Sequence, residues 1–78
     1  MDLKLGKYQH YKGNFYEVIG AGRHTETKEE FVVYKQLYDG PEFPMGSIWT
    51  RPREMFLGEV EINGQKVPRF RYVGKKGA

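Results

Sequence analysis

The sequence predicts a small all-β fold, either an SH3-like barrel or a strongly twisted antiparallel sheet of five to six short strands with one helical turn. Aromatic and β-branched residues alternate with polar ones, and no window of a dozen residues has the apolar spacing of a helix. Frequent breaks also favour this class, since 10 glycines and 4 prolines interrupt 78 residues. The Asn63-Gly64 dipeptide adds a specific hairpin signal. An open α+β sheet is the second interpretation, but no segment offers its helix.

The first half of the chain is predicted to form three strands, which are Lys7–Tyr11, Phe15–Arg23 and Phe31–Tyr38. Gly20 and Gly22 lie in the second of these and allow a sharp bend or a bulge, as the corner of a small barrel requires. The polar run His24–Glu30 then connects the second strand to the third, so that the two form a long hairpin.

The middle of the chain contains an irregular loop and one helical turn. Asp39–Ser47 holds two prolines and two glycines, and Ile48–Thr50 is a short strand that a proline must end. Pro52–Phe56 is predicted as a helical turn, because proline suits the first helical position. Met55 and Phe56 are expected to pack this turn onto the core.

The last part of the chain predicts a hairpin whose register can be read directly from the sequence. A two-residue turn at Asn63-Gly64 sets three cross-strand pairs: Ile62 with Gln65, Glu61 with Lys66, and Val60 with Val67. The opposite charges and the two valines then face each other, which favours this register. Phe70–Val73 extends the sheet with Phe70 and Tyr72 directed inward.

Length and charge limit the classes of function. We expect residues 1–78 to form a single small β domain with an ordered core of roughly 6–73. The net charge is +3, and Lys75 and Lys76 of the tail supply two of these charges, so any basic patch has to be local. No cysteine is present, and no stretch resembles a targeting signal or a membrane span. These features fit the cytoplasm.

A bacterial family, domain of unknown function 1653, resembles this chain in three stretches taken in order: "YQHYKGNFYEVIGAGRHTET", "VVYKQLY" and "WTRPREMF". The resemblance runs roughly from Gly6 to Phe70. It implies a small bacterial domain, sometimes appended to larger proteins, and it implies no activity, because none is assigned to the family. Two features depart from the family pattern, namely Gly22, where alanine is common, and the length of the Asp39–Ser47 loop.

Metal binding and catalysis find little support in the sequence. Only His10 and His24 are available as imidazole ligands, with Glu26 as a third candidate, whereas a zinc site needs three or four such residues. We therefore expect no metal and no cofactor. A small hydrolase-type enzyme using His24 and Glu26 is chemically feasible, because a carboxylate partner raises the pKa of an imidazole. No hydroxyl lies in a nucleophile motif, so the sequence favours a non-enzymatic protein.

The stretch "AGRHTET" (Ala21–Thr27) also has a purely structural interpretation. Thr25 and Thr27 are able to bond backbone groups that leave a strand, and Glu26 to pair with a nearby cation at the surface. His24 would then donate to a carbonyl group at the strand end. In this interpretation the stretch is only the polar end of a hairpin.

An aromatic and cationic face is the candidate binding site, formed by Arg23, His24, Tyr34, Trp49 and Arg51. Tryptophan and arginine are the residue types most often found as binding hot spots. In this hypothesis Arg23 and Arg51 supply charge, Tyr34 and Trp49 supply stacking area, and His24 supplies a polar contact. The alternative is that Trp49 fills the core.

The sequence thus predicts a binding module rather than an enzyme. A nucleic acid or nucleotide ligand is slightly favoured, because tyrosines beside arginine or lysine suit the stacking of bases. A protein or peptide partner, or a fused domain, is the alternative, since the same side chains dock peptides. No membrane partner is expected.

Overall fold

Seven strands and one helical turn make up residues 3–74, the part of the chain that the computed structural model describes. Their bounds are β1 Gly6–His10, β2 Phe15–Arg23, β3 Glu30–Gln36, β4 Ile48–Pro52, α1 Arg53–Phe56, β5 Glu59–Ile62, β6 Gln65–Pro68 and β7 Phe70–Gly74. Five strands form one antiparallel sheet in the order β4-β3-β2-β1-β7, and β5 pairs with β6 in a separate hairpin.

The predicted all-β class is confirmed, with seven strands where five to six were expected. Within residues 3–74 the sheet does not close into a barrel, because β4 and β7 remain its two edges. The bounds predicted for β2 are those observed. The third strand was predicted to run to Tyr38 but ends at Gln36, whose side-chain amide donates to the carbonyls of Tyr38 and Phe43 and holds the chain in a loop.

The glycine-rich half of β2 contains the expected irregularity. Val18 pairs with Tyr34, and Gly20 pairs with Val33, the neighbour of Tyr34 in β3. Ile19 therefore has no partner of its own in β3. An extra residue of this kind is a β-bulge, which bends the strand and reverses the faces beyond it. Ala21 consequently lies opposite Val32, on the same face of the sheet as Val18.

One face of the large sheet carries an aromatic core. Its buried residues are Tyr8, Val18, Val32, Tyr34, Phe56 and Phe70, with Leu3, Tyr16, Trp49 and Tyr72 packed against them. Phe56 stacks on Phe70 with ring centroids 4.2 Å apart, and Tyr8 meets Phe56 edge to face at 5.2 Å. Such ring pairs contribute about 0.5–1.5 kcal/mol each beyond the area they bury. The inward orientation predicted for Phe70 and Tyr72 is confirmed.

The helical turn α1 crosses this face and differs in two details from the prediction. Pro52 ends β4 and caps the turn with ψ of 138°, so it precedes the first helical residue. Phe56 is buried at 1% exposure, whereas Met55 is 47% exposed, because consecutive helical residues point about 100° apart. Only Phe56 therefore fixes the turn to the core.

The β5–β6 hairpin has the predicted register. Val60 pairs with Val67, Glu61 with Lys66, and Ile62 with Gln65. Asn63 and Gly64 both have positive φ, 50° and 81°, as the favoured two-residue hairpin turn requires. The hairpin begins just beyond α1, and Pro68 ends β6 before the chain enters β7.

The opposite face of the sheet carries charged contacts together with exposed apolar side chains such as Ile48 and Val73. Lys35 lies 3.6 Å from the carboxylate of Glu17, and the Lys7 ammonium sits 4.5 Å from the centre of the Phe15 ring. No helix in the described part of the chain has the length and apolar character needed to cross a membrane.

Candidate functional site

Three of the five residues of the predicted face lie together. Tyr34 of β3 pairs directly with Trp49 of β4, and Val32 pairs with Arg51 in the same register. Since residues two apart in a strand share a face, Trp49 and Arg51 both lie over the aromatic core. The Nε of Arg51 donates a hydrogen bond of 3.2 Å to the Tyr34 hydroxyl.

The environments of Tyr34 and Trp49 differ. Tyr34 is only 4% exposed, and its ring packs on Tyr16, Phe56 and Phe70, so it offers no free face for stacking. Trp49 is half-buried and packs against the core, and its indole nitrogen donates to the side-chain oxygen of Gln36 at 3.0 Å. Trp49 therefore packs one part of its side chain against the core and leaves another part exposed.

Arg23 and His24 lie farther along the sheet, nearer to Arg51 than to Trp49. Arg23 pairs with Glu30, which is two residues along β3 from the partner of Arg51 and four residues from the partner of Trp49. These offsets are about 7 and about 13 Å along the strand. The Nη1 of Arg23 donates to the Lys28 carbonyl at 3.0 Å, within its own hairpin.

His24 has the contacts of a turn residue. Its Nδ1 accepts hydrogen bonds from the backbone N–H groups of Glu26 and Thr27, at 3.1 and 3.3 Å. The Glu26 carboxylate instead accepts from the hydroxyl of Thr25, at 3.1 Å. The structural interpretation had His24 donating to a carbonyl group, but its ring nitrogen accepts, because the turn leaves N–H groups without ladder partners.

Residues 3–74 contain no group of three or more His, Cys, Asp or Glu side chains placed to hold a metal ion.

A groove between the large sheet and the β5–β6 hairpin is a second candidate site. Its volume is about 470 Å³, and its lining residues are Gln9, His10, Tyr11, Gly13, Ile62, Val67, Pro68 and Arg71. The hairpin supplies an apolar wall, while β1 and β7 supply polar groups. Arg71 donates to the side-chain oxygen of Gln9 at 2.8 Å along this polar wall.

His10 connects the groove to the aromatic core. Its ring lies 4.9 Å from the Phe70 ring, and its Nδ1 accepts a hydrogen bond of 3.1 Å from the Lys12 backbone N–H. Burial lowers the pKa of His10 below 6.5, and the positive charges of Arg51, Arg69 and Lys12 lower it further. The imidazole is consequently neutral near pH 7, which leaves Nε2 as a hydrogen-bond donor.

Two arginines without carboxylate partners lower the pKa of His10. Neither Arg51 nor Arg69 takes part in the ion pairs of residues 3–74, which join Lys35 to Glu17 and Arg53 to Glu30. The Arg51 guanidinium lies 5.8 Å from the centre of the Phe70 ring. The Nε of Arg69 is buried and has no hydrogen-bond acceptor among the described residues.

The backbone fixes Arg69 beside the groove. Its N–H donates to the Gly58 carbonyl at 3.0 Å, and its carbonyl accepts from the Tyr11 N–H at 2.9 Å. These bonds tie the start of β7 both to the segment after α1 and to the β1–β2 turn. Neither Arg51 nor Arg69 lines the groove, but both lower the pKa of His10, which does. Guanidinium groups are suited to binding a phosphate or a carboxylate.

A smaller pocket of about 180 Å³ lies under the loop between β3 and β4. Tyr16, Gln36, Tyr38, Glu42, Phe43 and Trp49 are among the residues that line it. The Tyr16 and Tyr38 hydroxyls are 2.8 Å apart and share a hydrogen bond. Burial, followed by this hydrogen bond, raises the pKa of Tyr16, so its phenol stays protonated.

Sequence reasoning selected one histidine for the binding face, while the structure places the other beside a groove. His10 and Arg69 are separated by most of the chain, and they meet only because β7 returns to pair with β1. The hairpin register was predictable, but the position of the hairpin against β1 was not. The sequence feature that could have pointed to this site is the pattern "PRFRY", in which two arginines alternate with core aromatic residues.

Comparison with known proteins is consistent with this fold. The crystal structure of a DUF1653 protein from Bordetella bronchiseptica is similar to the chain with a TM-score of 0.82 and 38% sequence identity, covering 95% of this chain and 91% of that one. Comparison with curated proteins finds no match. The model of the family described as protein of unknown function (DUF1653) matches residues 6–72, which is most of the chain. The chain therefore belongs to the DUF1653 family.

Proposed function

We propose that this chain is a non-enzymatic binding domain for a ligand that carries a phosphate group, with a nucleotide or a nucleic acid strand as the favoured class. The observation that carries the proposal is that Arg51 and Arg69 each lower the pKa of His10 and that neither takes part in an ion pair of residues 3–74. A guanidinium group that lacks a carboxylate is costly to bury, and a phosphate would supply the missing acceptors.

A ligand larger than the phosphate alone would extend past His10 into the groove, which His10 lines and Arg51 and Arg69 do not. The groove volume of 470 Å³ lies within the range of small-molecule sites, which are mostly apolar with a few polar groups for orientation. Tyr11, at its rim, is 36% exposed and offers a ring for stacking a base. His10 would donate from Nε2, and its lowered pKa agrees with the tendency of such groups to occur at functional sites.

A titration followed by NMR tests the proposal. We expect adenosine monophosphate and inorganic phosphate to shift the signals of His10, Arg51 and Arg69, and adenosine without phosphate to bind more weakly. Arg51→Gln or Arg69→Gln should weaken binding of the monophosphate about tenfold, since each removes hydrogen bonds to a charged group.

Arg23→Gln is the matched control, because Arg23 is exposed and its side-chain bond within residues 3–74 goes to Lys28 of its own hairpin. We expect this variant to bind the monophosphate as the parent does. Equal loss of binding in Arg23→Gln and Arg51→Gln would instead support the face predicted from the sequence. Adenosine binding as tightly as its monophosphate would show that the proposal is wrong.

A peptide or protein partner is the second candidate, and a specific observation favours it. Phe43, Met45 and Ile48 are exposed by 48%, 58% and 54%, and they lie in and beside the loop that precedes the edge strand β4. Exposed apolar side chains at a sheet edge suit the addition of a peptide strand. A peptide titration that shifts Ile48 and Thr50, without change at His10, would support this function instead.

A further inference from the structure

We propose that the pocket under the β3–β4 loop binds an alkylated ammonium group, such as a quaternary ammonium or a methylated lysine side chain. Four aromatic rings line this pocket of about 180 Å³: Tyr16, Tyr38, Phe43 and Trp49. Aromatic rings that surround a small cavity attract cations through the negative faces of their π systems. The proposal does not depend on the phosphate site, because it rests on different residues and on the opposite charge.

The rings form two perpendicular pairs. Phe43 and Trp49 have ring centroids 4.9 Å apart and planes at 84°, and Tyr16 and Tyr38 have centroids 5.6 Å apart and planes at 87°. Perpendicular packing presents ring faces in several directions, as a site that encloses a rounded cation requires. The pocket is too small for a drug-sized ligand and fits a single head group.

Hydrogen bonds within the protein hold these walls in place. Gln36 is 2% exposed, and its amide nitrogen donates to the carbonyls of Tyr38 and Phe43 at 2.9 and 2.8 Å. Its side-chain oxygen accepts from the indole of Trp49. One buried glutamine thereby positions three of the four aromatic residues, and the site requires little reorganisation on binding.

The charge of the loop matches a cationic ligand. Glu42 lines the pocket, and the segment from Gln36 to Thr50 contains two acidic residues and no lysine or arginine. Burial raises the pKa of Tyr16 and the charge of Arg51 partly offsets this rise, but Arg51 does not line the pocket, and its Nε donates to the Tyr34 hydroxyl, which lies outside the pocket lining. The pocket therefore combines aromatic faces with one carboxylate and no cation among its lining residues.

The scarcity of spare acceptors favours an alkylated cation over a primary ammonium. Gln36 uses its side-chain oxygen for Trp49, so the Glu42 carboxylate is the main acceptor left among the lining side chains. One carboxylate replaces only part of the hydrogen bonds that a primary ammonium makes to water. A quaternary or methylated ammonium has few or no N–H groups and loses less.

Choline and its neutral carbon isostere, 3,3-dimethylbutan-1-ol, provide the test. We expect choline to shift the indole N–H signal of Trp49 saturably at millimolar concentration, and the isostere to bind at least about fivefold more weakly. Sodium chloride at the same concentration controls for ionic strength. Equal shifts with choline and the isostere, or no saturable shift with choline, would overturn the proposal.

Variants of exposed loop residues localise the effect without disturbing the core. Phe43→Leu removes one aromatic wall and Glu42→Gln removes the carboxylate, and each should weaken choline binding several-fold. Met45→Ala is the matched control, because Met45 lies in the same loop, is 58% exposed and does not line the pocket. Choline binding that responds equally to all three variants would contradict the assigned site.

Discussion

His10 is kept neutral in the folded protein by two effects that act in the same direction. Burial is the larger, and the charges of Arg51, Arg69 and Lys12 add to it, so the pKa of His10 lies below 6.5. In the unfolded chain the same imidazole titrates near its ordinary value. Below about pH 6.5 the unfolded state therefore binds more protons, and the free energy of unfolding falls as the pH is lowered toward the folded pKa.

Urea unfolding at a series of pH values between about 8 and 5 checks this prediction. His10→Gln should flatten the dependence on pH, since glutamine does not titrate. A variant profile as steep as that of the parent would show that His10 does not contribute. If the proposed phosphate ligand binds beside His10, the anion would offset the arginine charges and raise the pKa of His10.

At the residue scale, the sequence shows which residue types are rare, but it does not show which of those side chains lie next to each other in the fold. Tyr34, Trp49 and Arg51 were grouped correctly because they lie on two strands adjacent in the chain. Arg23 and His24 are grouped with them by their nearness to loops, and the pairing of β2 with β3 places Arg23 two residues along β3 from the partner of Arg51 and four from that of Trp49. Whether any of these residues binds a ligand stays a prediction.

At the scale of elements, local signals were reliable and long-range pairings were not. The β5–β6 register followed from the turn dipeptide and two cross-strand pairs, and the bulge in β2 followed from its glycines. The pairing of β7 with β1 joins the two ends of the chain, and no local pattern encodes it. The groove depends on this pairing, which explains why sequence reasoning missed it.

Substitution of Gly58, which follows α1, and of Gly22, in β2, measures how closely neighbouring atoms pack at these two positions. A Cβ on Gly58 would lie 2.9 Å from the backbone carbonyl oxygen of Glu54, whereas a Cβ on Gly22 would meet no atom within 4 Å. We expect Gly58→Ala to lower the free energy of unfolding by about 1–3 kcal/mol, because α1 has to shift away from the new methyl group. Gly22→Ala should be neutral or raise it by up to about 1 kcal/mol, because it restricts the unfolded chain.

Urea unfolding of the two variants under identical conditions measures both changes. The comparison is matched, since each substitution adds one methyl group to the same residue type. Equal stability of the two variants would show that α1 does not pack as tightly against Gly58 as the structure indicates. The expected result for Gly22 also agrees with the alanine that the resemblance places at this position.

At the scale of the whole molecule, the charge distribution argues for a local site rather than a broad electrostatic surface. The net charge is only +3, and Lys35 and Arg53 already lie beside carboxylates. If a single-stranded nucleic acid binds through Arg51 and Arg69, two phosphate contacts should give a shallow salt dependence. The expected slope of log K against log salt concentration is about −1.4.

Fluorescence titration of a short single-stranded RNA at several salt concentrations measures this slope. Arg51→Gln should reduce its magnitude by about 0.7, the contribution of one phosphate contact, and Arg23→Gln should leave it unchanged. A slope steeper than about −4 would require some six phosphate contacts, more than two arginines provide. The ligand would then be held by the surface as a whole, and Arg51 and Arg69 could not be its specific site.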